Sequence, residues 1–116
     1  MNKLKKLIWV GASRKDLQRM PSEVQDEIGY ALHLVQEGLF PDSAKPLKSI
    51  SGVYEIRCDF DNDTFRTVYV TKLGEYIYIL HAFQKKSTKG IKTPKHEVNL
   101  IKQRLLVAKE ISGGVK

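Results

Sequence analysis

The hydrophobic pattern of the sequence changes its period across residues 41–52. Before this segment, apolar residues recur at the three- and four-residue spacing of an α-helix. After it, apolar and polar residues alternate, as expected for β-strands with one buried face. The segment itself, PDSAKPLKSISG, holds two prolines and a glycine and is predicted to be a loop. Helices and strands grouped in this way are typical of the α+β class.

The residues before this loop predict one short strand and two helices. The apolar run at 7–10 predicts a strand that is buried on both faces. Helices are expected over residues 13–20 and 22–38, with Pro21 between them, because the residue before a proline disfavours helical geometry. The apolar stripe of the second helix consists of Val24, Ile28, Ala31, Leu32, Val35 and Leu39.

The residues after the loop predict three strands and a final helix. Strands are expected at 54–60, 64–70 and 76–83, and the first two form a hairpin across an Asp-Asn-Asp turn. Thr93 and Pro94 predict the start of the last helix. The sequence therefore predicts an α+β fold in which two N-terminal helices pack on a mainly antiparallel β-sheet and a C-terminal helix follows.

Length and cysteine content limit the class of protein. A chain of 116 residues is expected to form one domain, residues 1–116. Its one cysteine, Cys58, alternates with apolar residues and is predicted to be buried, so no disulfide framework or cysteine metal cluster is expected. The apolar run near the N-terminus is too short for a signal peptide or a membrane span. We expect a cytoplasmic protein without membrane contact.

The positive charge of the chain is concentrated in its last third. Residues 81–116 hold nine Lys and Arg against two acidic residues, so this segment alone carries the formal excess of +7. A field of this kind favours binding to a polyanion, although a solvated lysine-rich loop is the alternative. The lysines of the central cluster are Lys85, Lys86, Lys89, Lys92 and Lys95.

The predicted sheet adds charged side chains to this region. Strand alternation places Glu55 and Arg57 on the face opposite Tyr54 and Ile56, and Arg66 shares that face if the register allows it. A cross-strand ion pair between Glu55 and Arg66 is one interpretation. Phosphate binding by the arginines is another, since a guanidinium contacts phosphate through two parallel hydrogen bonds.

Other kinds of site find little support in the sequence. The three histidines lack the spacing of zinc ligands. Asp59, Asp61 and Asp63 lack the glycine and distal glutamate of a calcium loop and are interpreted as a solvated turn. We therefore expect no metal and no cofactor.

Three motifs resemble the RelE/ParE superfamily of toxins, which are the toxin halves of type II toxin–antitoxin systems. They are GVYEIR at 52–57, FRTVYV at 65–70 and HAFQKKSTKGIKTPKHE at 81–97, and they are most similar to the phage-derived, HigB-like branch. The resemblance covers nearly the whole chain and implies a RelE-like fold. RelE-type members cleave messenger RNA on the ribosome without metal, whereas ParE-type members inhibit DNA gyrase.

The resemblance also implies a set of site residues and partners. Glu55 stands where RelE has a second basic strand residue, so the general base and the general acid stay open. The catalytic candidates are Arg57, Arg66, Lys85, Lys86, Glu55 and His96. The RNA-binding candidates are His81, Lys89, Lys92, Lys95 and Lys102. The implied partners are the ribosome, mRNA and a cognate antitoxin, for which we expect a helix-turn-helix DNA-binding type.

The implied activity is that of a ribosome-dependent mRNA endoribonuclease that inhibits translation. A gyrase inhibitor of the ParE type, an RNA-binding module without catalysis, and a partner-docking domain remain as alternatives.

Overall fold

The computed structural model describes residues 4–85 and 93–113, and within these ranges it contains five strands and three helices. Lys86, Lys89 and Lys92, three of the candidate site residues, lie outside the described residues. In chain order the elements are β1 (Leu7–Trp9), α1 (Ser13–Gln18), α2 (Ser22–Gln36), β2 (Ala44–Pro46), β3 (Tyr54–Phe60), β4 (Asp63–Leu73), β5 (Tyr76–Lys85) and α3 (Lys95–Ile111).

The five strands form one sheet in the order β1-β5-β4-β3-β2. Strands β2 to β5 pair antiparallel with their neighbours, whereas β1 pairs with β5 in parallel. The architecture confirms the predicted α+β fold, with two N-terminal helices, a mainly antiparallel sheet and a C-terminal helix. None of the helices in the described ranges is long and apolar enough to cross a membrane.

Helices cover both faces of the sheet, which divides the core into two clusters. On one face, α1 and α2 pack on residues such as Ile56 and Tyr69. On the other face, α3 packs on residues that include Val68 and Leu80. Because both faces are covered, the middle of β4 and nearly all of β5 are buried, including positions that a one-sided sheet would leave in water.

The predicted turn between β3 and β4 is confirmed and is very short. Phe60 pairs with Asp63, so only Asp61 and Asn62 lie between the strands, and both have positive φ angles of 52° and 67°. Positive φ at both central residues gives a turn whose twist matches that of the flanking strands, and Asp and Asn tolerate this conformation. The turn therefore fixes the register of the two strands.

Part of the predicted loop at 41–52 is a strand. Ala44–Pro46 forms β2, which pairs with β3 at the edge of the sheet, where a proline without an N–H is tolerated. The loop prediction was wrong here because three residues containing a proline show no recognisable alternation. The strand matters for the site because it places Lys45 directly opposite Glu55.

Two further predictions need correction. The run at 7–10 was predicted to be buried on both faces, but Leu7–Trp9 is only half-buried, because β1 is an edge strand with one neighbour. Leu39 was assigned to the apolar stripe of the second helix, but it is 56% exposed. The helix ends at Gln36, and Gly38, with φ at +86°, redirects the chain before Leu39.

Replacing Ile101 by alanine should destabilise the fold, because Ile101 is completely buried between α3 and the sheet. We expect a loss of about 2–5 kcal/mol in the free energy of unfolding, measured by chemical denaturation. Leu106 lies on the same helix but is 62% exposed, so Leu106→Ala is the matched control and should change stability by less than about 0.5 kcal/mol. Equal effects of the two variants would show that α3 does not dock as described.

Candidate functional site

The register of the strands brings the charged strand residues onto one face of the sheet. Arg57 lies opposite Arg66 across the β3–β4 ladder, and Lys45 lies opposite Glu55 across the β2–β3 ladder. Lys85 is opposite Thr64 in β4, and strand alternation places it on the same face as Arg66. This is the face that α3 covers in part, and the candidate residues from three strands therefore form a single group.

Two arginines placed directly opposite each other need compensation. Like charges at opposed positions of an antiparallel pair are destabilising. Here each guanidinium contacts a carboxylate on β3: Arg66 pairs with Glu55 and Arg57 pairs with Asp59. The arrangement keeps both positive charges on one face while lowering their mutual repulsion.

Glu55 and Arg66 form a buried ion pair, which agrees with one of the two interpretations of these side chains. Arg66 Nη1 donates to Glu55 Oε1, and the two side chains are 3% and 5% exposed, respectively. Arg66 Nε is also buried, and no described residue accepts a hydrogen bond from it. A buried pair is often no more stable than an apolar replacement, so stability alone does not account for its presence.

Arg57 is the accessible guanidinium of the group, with 44% of its side chain exposed. Its Nε donates to Asp59 Oδ1 at 3.1 Å, and Thr64 Oγ1 donates to the same oxygen at 2.9 Å. These two hydrogen bonds, the one from Arg57 first, hold the pKa of Asp59 below its usual value. Asp59 thus stays ionised and orients Arg57, whose remaining donors are available to an anion from solvent.

Lys85 lies at the end of β5 and is 9% exposed. Burial lowers its pKa from the usual 10.5, and the positive charges of Arg66, Arg57 and Lys45 lower it further, while Glu55 acts in the opposite direction. A lysine with a lowered pKa is neutral more often near physiological pH, and a neutral amine accepts a proton. The surroundings of Lys85 therefore favour the neutral amine more than water does.

Next to this group is a polar network that the sequence did not reveal. His81 Nε2 lies 2.7 Å from Glu97 Oε1, and Arg104 Nη1 lies 3.2 Å from His81 Nδ1. Because a guanidinium only donates, Nδ1 is the acceptor and Nε2 carries the proton that is donated to Glu97. Both ring nitrogens of His81 are therefore used within the protein.

Arg104 connects this network to the other elements. Its Nη1 donates to the backbone carbonyl of Leu80 at 3.0 Å and lies 3.9 Å from Asp16 Oδ2 of α1. A Cβ at Gly11, where φ is +59°, would lie 2.8 Å from Arg104 Nε, so a larger residue there would strain the backbone and displace this guanidinium. The network fixes the position of α3 relative to β5 and α1.

The remaining described candidates lie on α3 and face solvent. His96 has 80% of its side chain exposed, and its Nε2 lies 3.8 Å from Glu97 Oε2. Lys95 and Lys102 are exposed on the same helix. The structure therefore brings Glu55, Arg57, Arg66 and Lys85 together, and it leaves these three on the adjoining helix surface.

Lys45, Glu97 and Arg104 were not predicted as site residues. Glu97 and Arg104 are seven residues apart, a spacing that places both on one side of α3. The same spacing was used for Lys95 and Lys102, so the sequence could have indicated this pair as well. Lys45 gave no signal, because its strand was not recognised. In residues 4–85 and 93–113 there is no group of three His, Cys, Asp or Glu side chains arranged to hold a metal ion.

Comparisons with known proteins give one relationship. No curated protein and no solved structure matches the chain significantly. One family model, described as Phage derived protein Gp49-like (DUF891), matches residues 15–106, a range that includes most of α1, all of α2, strands β2 to β5 and most of α3. Since this match covers well over half of the sequence, the chain belongs to the Gp49-like family of phage-derived proteins, a family associated with RelE-like toxins.

Proposed function

We propose that the protein is the toxin of a type II toxin–antitoxin system, of the HigB-like branch, and that it cleaves mRNA on the ribosome without a metal. The observation that carries this proposal is the group of four cations, Lys45, Arg57, Arg66 and Lys85, gathered around Glu55 on one sheet face. Such a group suits a phosphodiester, whose charge increases as the bond is cleaved. Membership of a family associated with RelE-like toxins agrees with this assignment.

Cleavage without metal requires a base for the 2′-hydroxyl, charge stabilisation at phosphorus and an acid for the leaving oxygen. Arg57, which is partly exposed, contacts the scissile phosphate. Arg66 lies beneath it and adds positive charge from a buried position. The lowered pKa of Lys85 makes its amine the general base. Glu55 holds Arg66 in place and is the alternative base.

The acid and the outer RNA contacts come from the segment that follows β5. His96 is exposed at the start of α3 and is a candidate for protonating the leaving 5′ oxygen; Lys86, the other candidate, lies outside the described residues. Lys95 and Lys102 face solvent on α3 and bind phosphates of flanking or ribosomal RNA. His81, whose ring nitrogens both bind protein groups, positions α3 instead of contacting RNA.

The proposed activity also determines the partners and the location. A toxin that acts on translating ribosomes works in the cytoplasm and needs an antitoxin to restrain it. An acidic segment of that antitoxin, covering the cationic sheet face, would be electrostatically complementary. We expect the antitoxin to contain a helix-turn-helix DNA-binding unit, and Lys89 and Lys92 to contribute to RNA binding.

Arg57→Gln should lower mRNA cleavage by about 100-fold or more, because it removes the accessible donor to the phosphate. The measurement is the mapping of new transcript ends in a reconstituted translation reaction with purified protein. The fold should be retained, because Arg57 is 44% exposed. Arg19→Gln is the matched control, since Arg19, which caps the C-terminus of α1, has 78% of its side chain exposed, and this variant should cleave like the wild type.

Two outcomes would contradict the proposal. Cleavage by Arg57→Gln at the wild-type rate would remove Arg57 from the site. Intact transcripts with the wild-type protein, together with inhibition of supercoiling by purified gyrase, would favour the ParE-type activity.

The cleavage rate should rise with pH, because Lys85 must be neutral to accept the proton. Since its folded pKa is lowered, the rate should reach its plateau below pH 10.5, the usual pKa of lysine. Lys85→Arg keeps the charge but cannot titrate in this range, so it should lose the rise with pH and about 100-fold or more in rate. Single-turnover rates across pH test this, with Lys72→Arg as control. A wild-type profile in Lys85→Arg would assign the base to another group.

The buried ion pair predicts a particular pattern of stabilities. Glu55→Leu leaves the charge of Arg66 buried without its carboxylate and should cost about 3–5 kcal/mol of unfolding free energy. The double variant Glu55→Leu/Arg66→Met replaces the pair by apolar groups and should recover most of that loss, while remaining inactive in cleavage. Chemical denaturation of Glu55→Leu, Arg66→Met and the double variant measures these free energies. Strictly additive effects would contradict a direct interaction.

A further inference from the structure

A cavity of about 360 Å³ opens beside the buried ion pair, on the side of the sheet edge formed by β2. One wall is formed by residues 45–49, that is, the end of β2 and the turn after it. Thr93, just before α3, forms the other side, and Glu55 lies at the base. The volume is within the range of pockets that hold small organic ligands, which is about 300–1,000 Å³.

The wall of this cavity is cationic. Lys45 is exposed, lies opposite Glu55 in the sheet register and is close enough to Lys85 to lower its pKa. Lys48 is also exposed and lines the same wall. Within residues 4–85 and 93–113, neither lysine forms a salt bridge, so both charges are available to an anion.

The wall is also apolar and fixed in shape. Pro46 and Leu47 contribute its apolar surface, and Leu47 is 5% exposed because it belongs to the core under α3. The Leu47 N–H donates to the Val53 carbonyl at 2.8 Å, and the Ile50 N–H donates to the Leu47 carbonyl at 3.3 Å. A wall that is held in this way loses little conformational entropy when a ligand binds.

The base of the cavity distinguishes between the parts of a nucleotide. The Glu55 carboxylate, which pairs with Arg66 through Oε1, repels a phosphate and accepts hydrogen bonds from N–H groups. A phosphate is therefore directed to the lysines at the rim and a nucleobase to the interior. Adenine, cytosine and guanine present an amino group, whereas uracil flanks its single N–H with two carbonyl oxygens, which a carboxylate repels.

We infer that this cavity is a subsite for the nucleotide next to the scissile phosphate, with the phosphate on Lys45 and Lys48 and an amino-bearing base at Glu55. The inference rests on the proposed function only in taking RNA as the bound polyanion. It adds a binding role for β2, and it makes the subsite a source of sequence preference at one position beside the cut.

The test is the binding of fluorescein-labelled single-stranded hexanucleotides to the full chain at several salt concentrations. Lys45→Ala/Lys48→Ala should reduce the slope of log affinity against log salt by about 1.4, since each lysine on a single strand contributes about 0.7. Lys15→Ala/Lys72→Ala removes the same charge from exposed positions on α1 and β4 and should leave the slope near the wild-type value. Wild-type protein should bind oligo(A) and oligo(C) more tightly than oligo(U).

Equal slopes for the two double variants would overturn the subsite, as would equal affinity for all three oligonucleotides. Transcript mapping with the same variants separates this result from the proposed function. If the wild-type protein cleaves transcripts and the two double variants have equal salt slopes, the subsite is rejected and the nuclease activity stands. A slope that depends on Lys45 and Lys48, without cleavage by the wild type, would establish the nucleotide site and reject the nuclease.

Discussion

The carboxylate of Glu55 and the guanidinium of Arg66, buried together between β3 and β4, are the interaction on which the charged face depends. Without Glu55, the opposed arginines would repel each other with only Asp59 to compensate. With Glu55 in place, the Arg66 guanidinium is held below the surface and the Arg57 guanidinium is partly exposed to water. The pair therefore allows a stable sheet to carry an excess of positive charge on one face, at the position where Lys85 loses part of its affinity for a proton.

The covering of both faces by helices makes this arrangement possible. A sheet packed on one side only would leave its second face solvated, and the charges there would be screened by water. Here α3 covers part of that face and is held by the contacts of His81 with Glu97 and Arg104. The uncovered part next to β2 is the part that carries Lys45 and Arg57. Packing and electrostatics thus divide one surface into a core and a charged region.

Most of the fold could be predicted from the sequence, because the apolar residues of its long helices and strands recur at clear helical or alternating spacing. In the β3–β4 hairpin in particular, the alternation of apolar and polar residues and the residues of the turn predict the same structure. The site was only partly predictable. Alternation placed Glu55 and Arg57 on one face, but the position of Arg66 depended on register, and its burial depended on how helices pack. The contacts of Arg104 arise from tertiary packing, and β2 was missed because three residues containing a proline have no measurable period.

The parallel pairing of β1 with β5 joins the first strand of the chain to the last, with Leu7 next to Ile77. During synthesis β1 cannot pair until β5 has been made, since about three-fifths of the chain separates Leu7 from Ile77. Contacts between distant segments form slowly, because a long loop must close first. Lys85 lies in that last strand, and α3 comes later still. A nascent chain therefore lacks an assembled charged face until β5 has left the ribosome.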